Sequence, residues 1–170
     1  DIVDMEKTSL AKRSRKLFTL SAFYNACAEL LEGLAIGDLE KDAKLARNFW
    51  EETAKHFPAW KQVRKGGLAA SEIREGYIHS HGVALQSIAK AGNELLQNKN
   101  NWQKYLKELD KIDWSRANTK LWEGRAMIGG KVSKSNINIV LTTNVIKKQW
   151  GLQLTEEEQR IEDVHLKYKR

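Results

Sequence analysis

Leu20, Phe23, Tyr24, Cys27, Leu30, Leu31 and Leu34 recur at steps of three and four residues, and this spacing constrains the chain more than any other feature it carries. Residues so spaced share one face of an α-helix, so the segment has one apolar side that must pack against another element. Thr19 stands where an N-cap belongs, and Gly33 and Gly37 punctuate the end. After Asp38, a second candidate cap, another stripe appears: Leu39, Ala43, Ala46, Phe49, Trp50, Thr53 and Phe57. The two helices are expected to pair. Pro58 suits the first position of a short further turn, which Gly66-Gly67 then breaks.

Ser71 and Glu72 open a longer helical region predicted to reach about Leu96, with Ile73, Tyr77, Ala84, Leu85, Ile88, Leu95 and Leu96 on its apolar stripe. Gly76, Gly82 and Gly92 weaken it locally and allow close approach of a neighbouring helix, and a kink there stays open. A polar turn at Asn98 to Asn101 precedes a helix marked by Trp102, Tyr105, Leu106, Leu109 and Ile112, and Asp113 to Asn118 reads as loop. Trp122 to Ser135 holds Gly124, Gly129 and Gly130 without helical period and reads as an ordered loop, with Ser133 or Ser135 as a cap for the next element. From Asn136 to Gln149 the length favours a helix, whereas Ile137, Ile139, Val140, Thr142, Thr143, Val145 and Ile146 are β-branched, so a minor β element near residues 137–143 stays open. As a helix it has two nearly opposite stripes, Ile137, Val140, Leu141 and Val145 against Ile139, Ile146 and Trp150, and is expected to be buried on two sides. Thr155 with Glu158 forms a capping box, and Ile161, Val164 and Tyr168 continue a final helix. The fold class is therefore mainly α: a single compact multi-helix domain over residues 1–170 with an ordered glycine-rich loop.

A chain of 170 residues buries roughly two-thirds of its unfolded surface without disulfides or metal. The single cysteine, Cys27, excludes an internal disulfide and any zinc site built on paired cysteines, so a reducing, cytoplasmic setting is expected. No apolar run is long enough to span a bilayer, and no membrane partner is expected. The chain opens Asp1-Ile2-Val3-Asp4 without an initiator Met or a leader, and reads as a piece of a longer protein. Lys and Arg number 29 against 22 Asp and Glu, a net charge of +7 that suits a polyanionic partner.

Basic clusters occur at Lys12, Arg13, Arg15 and Lys16, at Lys61, Arg64 and Lys65, and at Lys131 and Lys134, with Lys147 and Lys148 one helix later. Taken alone, each is a solvated face. Lys131-Val132-Ser133-Lys134-Ser135-Asn136 differs, because it sets two lysines, two hydroxyls and an amide at an expected helix N-terminus, where free N–H groups and the dipole favour phosphate. The expected DNA-binding set is Lys131, Ser133, Lys134, Ser135 and Asn136, with Arg125, Arg13, Arg15, Lys16, Lys147 and Lys148 adding charge. Such contacts position a protein on double-stranded DNA without reading its sequence. Gly124 to Lys131 is not a nucleotide-phosphate loop: Arg125 stands where the first glycine is needed, and Val132 succeeds the lysine in place of Ser or Thr. His79 and His81 are two apart, whereas zinc pairs on a helix stand three or four apart, so both read as core histidines. His56 and His165 have no metal-ligand pattern around them. The carboxylates at Glu156 to Glu158 suit the first turn of a helix. No cofactor is called for, and the chain is not expected to be an enzyme. Trp50 and Trp102 fall on apolar stripes, while Trp114, Trp122 and Trp150 flank the glycine-rich loop and are placed to stack on it or anchor it.

Several stretches together resemble a known family. Ser14-Arg15-Lys16-Leu17-Phe18-Thr19-Leu20-Ser21-Ala22, Asp113-Trp114-Ser115-Arg116, Trp122-Glu123-Gly124-Arg125-Ala126-Met127-Ile128, Lys131-Val132-Ser133-Lys134-Ser135 and Leu152 to Glu158 resemble, in order and over nearly the whole chain, the C-terminal half of the DNA sulfur modification protein DndB family. The resemblance implies a bacterial protein of the phosphorothioate DNA-modification system, a DNA-binding negative regulator of the modification genes, here without the half that carries the DGQHR motif. It implies no catalytic residue. A helical module for self-association, or for docking another DNA modification protein, is the alternative.

Overall fold

A computed structural model describes residues 1–169. Each long helix starts on a side-chain oxygen that satisfies a first-turn N–H, with one exception. Thr19 caps α1 (Leu20–Leu31), Asp38 caps α2 (Leu39–Ala54), and α3 (Pro58–Arg64) begins on its proline. Next come α4 (Ala70–Gly76), a 3-10 turn at Ile78–Ser80, and α5 (Gly82–Asn98), whose N-cap, His81, makes no capping bond. After α6 (Gln103–Leu106), a 3-10 turn at Lys107–Lys111 and α7 (Thr119–Trp122), the chain reaches α8 (Asn136–Gln149) and α9 (Glu156–Tyr168). Both of these last helices carry capping boxes, Ser135 with Asn138 and Thr155 with Glu158. Strand content is confined to two pairs: β1 (Val3–Asp4) runs parallel to β2 (Phe18–Thr19), and β3 (Met127–Ile128) runs antiparallel to β4 (Lys131–Val132).

Helix α5 is the hub, with Val83, Ala84, Leu85, Ser87, Ile88, Ala89, Ala91, Gly92 and Leu95 buried. Its small residues let neighbours come close: a Cβ at Gly92 would lie 2.3 Å from the Phe49 ring and 3.2 Å from Leu30. The register of these contacts fixes direction. Position 82 meets Ala22 and position 92 meets Leu30, so α1 runs parallel to α5. On the other side, position 82 meets Lys134, Ser87 donates to the Ile139 carbonyl at 3.1 Å, and Glu94 pairs with Lys147 at 2.6 Å, so α8 is parallel to α5 as well. Three long helices therefore start at the same end of the molecule.

Two expectations need correction. The helical region predicted from Ser71 to Leu96 breaks between Tyr77 and His81. There the backbone turns outward to bond a distant loop: the Ile78 N–H donates to the Trp114 carbonyl, and the Arg116 N–H donates to the Gly76 carbonyl, each at 2.9 Å. The β element held open near residues 137–143 does not form. That stretch is α8, and the β pair lies earlier, across a Gly129-Gly130 turn whose φ values of 58° and 74° suit the right-handed twist of a two-residue hairpin. Helix α8 is buried on more than one side as expected, through Asn138, Ile139, Leu141, Thr142, Thr143, Asn144, Ile146 and Lys147, but Ile137 of the expected stripe is exposed. Trp114 and Trp122 are buried and stacked, with centroids 5.3 Å apart, and fix the base of the glycine-rich loop. No helix among the described residues is long and apolar enough to cross a membrane.

Candidate functional site

A cleft of about 440 Å³ opens at the end where α1, α5 and α8 begin. Its lining includes Thr19 at the start of α1, His81 and Gly82 at the start of α5, and Lys134 just ahead of α8. Parallel helices put their positive dipole ends side by side, which is unfavourable for the protein alone and attractive to an anion. At α5 no side chain caps the end, so the Gly82 and Val83 N–H groups have no intrahelical acceptor. The Lys134 side chain lies directly over that end, with Cδ at 3.3 Å and Nζ at 3.8 Å from where a Gly82 Cβ would stand. Lys12, Arg74 and Arg116 also line the cleft, and Glu75 is the acidic residue among them.

Two arginines hold the walls together. The Arg74 guanidinium donates to the carbonyls of Ala11 at 3.1 Å, Lys12 at 2.8 Å, Ser14 at 3.1 Å and also Lys16, gathering the basic N-terminal loop around one side chain. Arg116 donates to the carbonyls of Arg74 at 3.3 Å, Glu75 at 3.2 Å and Gly130 at 2.9 Å, joining the end of α4 to the hairpin that carries Lys131. A carbonyl only accepts, so each bond consumes a guanidinium donor, and both arginines position the site more than they contact a ligand. Neither was in the expected set. Nothing local marks Arg74, and Arg116 carries only the Asp113–Arg116 resemblance.

His81 donates Nε2–H to the Arg74 carbonyl at 2.7 Å, which leaves Nδ1 as an acceptor. Burial pushes this imidazole below its ordinary value, against the pull of that hydrogen bond, and the Arg116 and Arg74 charges push it the same way as burial. It is neutral at neutral pH.

The expected phosphate-binding residues divide three ways. Lys131, Lys134 and Asn136 are exposed at the hairpin and the entrance to α8, as a phosphate contact requires. The N-terminal cluster is split: Lys12 faces the cleft and pairs loosely with Glu75 at 3.4 Å, whereas exposed Arg13 and Arg15 line an adjacent groove against Gly66–Ser71. Lys16 is half-buried, its ammonium bonded to the Asp1 carbonyl at 2.7 Å.

Five of the expected contacts are engaged within the protein instead. Ser133 and Ser135 each give their hydroxyl hydrogen to Asn138 Oδ1, at 2.7 and 2.6 Å, so neither has a donor left for phosphate, and they serve to build the α8 cap. Arg125 is buried and bidentate on Glu162, at 2.6 and 2.8 Å. Lys147 is buried between Glu94 and Glu158, at 2.6 Å from each. Lys148 is half-exposed, with its ammonium 2.6 Å from Glu162. The acids that claim these three cations come from α5 and α9, elements the local sequence around each cation does not reveal.

A family model described as DndB, DNA-sulfur modification-associated, matches residues 1–153. No curated protein and no solved structure matches the chain.

Proposed function

The chain belongs to the DndB family and is associated with DNA sulfur modification, and from that premise we propose that it is a DNA-binding regulatory domain, a repressor of the modification genes, that grips the phosphate backbone of double-stranded DNA at the helix-start cleft. The observation that carries this reading is that the starts of α1 and α5 meet at one cleft together with Lys12 and with Lys134 from the approach to α8, where the α5 end has no cap of its own. A phosphate there relieves the mutual repulsion of the dipole ends and accepts the free N–H groups of α5. Lys131 and Asn136 extend the same surface along the hairpin, and Arg13 and Arg15 extend it along the neighbouring groove. Backbone grip of this kind sets register on the duplex without selecting a sequence.

Binding isotherms on duplex DNA at several salt concentrations test the proposal. Affinity is expected to fall steeply as salt rises, by about 0.9 log units per log unit of salt for each phosphate contact. Lys12→Ala with Lys134→Ala is expected to weaken binding and to flatten that dependence by roughly two contacts. If the unaltered protein binds no duplex at low salt, or the double variant binds with the same salt dependence, the assignment is wrong. The alternative of self-association has its own feature, the strongly exposed apolar side chains of Ile36 and Leu39 where α1 passes into α2, with Tyr24 exposed within α1. Sedimentation showing a monomer that still binds DNA excludes it.

A further inference from the structure

Helix α9 is attached to the rest of the molecule by charge. Its one buried residue is Glu162, and Val164, Leu166 and Tyr168 are exposed, so no apolar side chain of this helix is buried. Glu162 takes two hydrogen bonds from Arg125, one from Lys148 at 2.6 Å and one from Asn144 at 3.2 Å. Glu158 takes one from Lys147, and its carbonyl takes another from Asn144 at 3.1 Å. Burial pushes the Glu162 carboxyl up, but the hydrogen bonds and charges of Arg125 and Lys148, together with Asn144, outweigh it and hold the group at about 2, ionised throughout the physiological range. At the far end the His165 ring lies against Gly124, where a Cβ would come within 2.8 Å of it. Helix α9 carries five carboxylates against Arg160 and Lys167.

A bidentate carboxylate on arginine has the geometry that a phosphate would adopt in its place. The main chain that carries Arg125 is tied to the entrance of α8, since Asn138, which caps that helix two residues after Asn136, donates to the Arg125 carbonyl, and Lys148 lies on the same helix at its other end. We propose that α9 is an acidic strap over a latent basic face formed by Arg125 and Lys148, and that the phosphates of duplex DNA held at the cleft displace Glu158 and Glu162 and extend the contact onto this face. Lys147 keeps Glu94 when α9 leaves, so two cations are freed. The inference rests on the DNA-binding reading above and adds to it a regulated increase in contact area.

The test uses the full chain and a 20-base-pair duplex. Hydrogen exchange at the amides of residues 156–168 is expected to quicken on adding duplex, beyond any change caused by NaCl alone. Glu158→Gln with Glu162→Gln is expected to bind the duplex about tenfold more tightly at low salt, with a salt dependence steeper by roughly two contacts. Gly124→Ala keeps every charge and presses on His165, and the same direction of change is expected from it. If the unaltered protein binds duplex while its α9 amides are unaffected, or if folded variants show an unchanged or shallower salt dependence, α9 is a structural clamp and the strap is refuted while the cleft stands. If neither the unaltered protein nor either variant binds duplex, the DNA-binding reading falls and takes the strap with it.

Discussion

The Trp60 indole can only donate, so its 3.1 Å contact with His79 Nδ1 fixes the imidazole tautomer, with the ring proton on Nε2. Burial pushes His79 down to about 4 from its ordinary 6.5. Between those values the unfolded chain binds a proton that the folded chain does not, so stability is complete above pH 6.5 and is lost as pH falls through about 4. His79→Leu is expected to cost about 1–3 kcal/mol at pH 7, because the Trp60 N–H loses its acceptor, and to flatten the fall in stability between pH 6.5 and 4. The flattening is partial, since burial also holds His81 and His165 down. Denaturant unfolding across that range measures it, and an unchanged slope would mean that His79 is not the group that titrates. His79 is a core histidine as expected from the sequence, whereas His81, expected to be the same, is part-buried at the cleft. The fate of Arg125 and Lys147 was not legible. A charge tells nothing of its own burial when the partner that decides it stands 37 residues further on, as Glu162 does for Arg125.

Elements were most legible where local chemistry and packing agree. The starts of α1, α2 and α9 come from Thr19, Asp38 and Thr155, and the glycine-rich loop lies where its period vanishes. Helix α8 was ambiguous because β-branched residues speak for a strand. Its burial on more than one side and the cap built by Ser133, Ser135 and Asn138 decide for a helix, and that cap is not the Ser/Thr-to-Glu/Gln pattern by which a capping box is recognised. Gly76 and Gly82 marked the weak stretch where a kink was open, but the break itself was not legible, because its cause, the loop at Trp114 to Arg116, is distant in sequence. Gly92 shows how packing overrides propensity. Alanine there gains about 1 kcal/mol of helix propensity, yet its Cβ would stand 2.3 Å from a Phe49 ring that is itself fully buried. Gly92→Ala is therefore expected to destabilise the protein by about 1–3 kcal/mol, read from chemical denaturation at neutral pH. A stabilised variant would show that α2 and α5 can move apart at little cost.

At the scale of the molecule, the parallel arrangement of α1, α5 and α8 has an electrostatic consequence that no single element carries. Antiparallel neighbours cancel their dipoles, whereas three parallel ones add positive potential at one end, and here Lys12 and Lys134 add to it. The fold is therefore expected to be more stable with an anion bound than without. Any ligand that binds the folded state alone stabilises it by RT ln(1 + [L]/Kd), about 1.4 kcal/mol at ten times Kd, which for a chain of this size raises the melting temperature by roughly 3–6 °C. Inorganic phosphate titrated at constant ionic strength is expected to produce such a rise, turning logarithmic in concentration above Kd, and Lys12→Ala with Lys134→Ala to remove most of it. The logarithmic form and the dependence on the two lysines separate site binding from the general effect of excluded salts, which strengthens burial without needing either side chain. The His81 ring supplies a second readout: a bound anion offsets the Arg116 and Arg74 charges that depress it, so its titration is expected to move upward with phosphate. A rise in melting temperature that is the same with and without the two lysines would mean that the aligned helix ends are neutralised from within, and would remove the physical ground for placing DNA phosphate at the cleft.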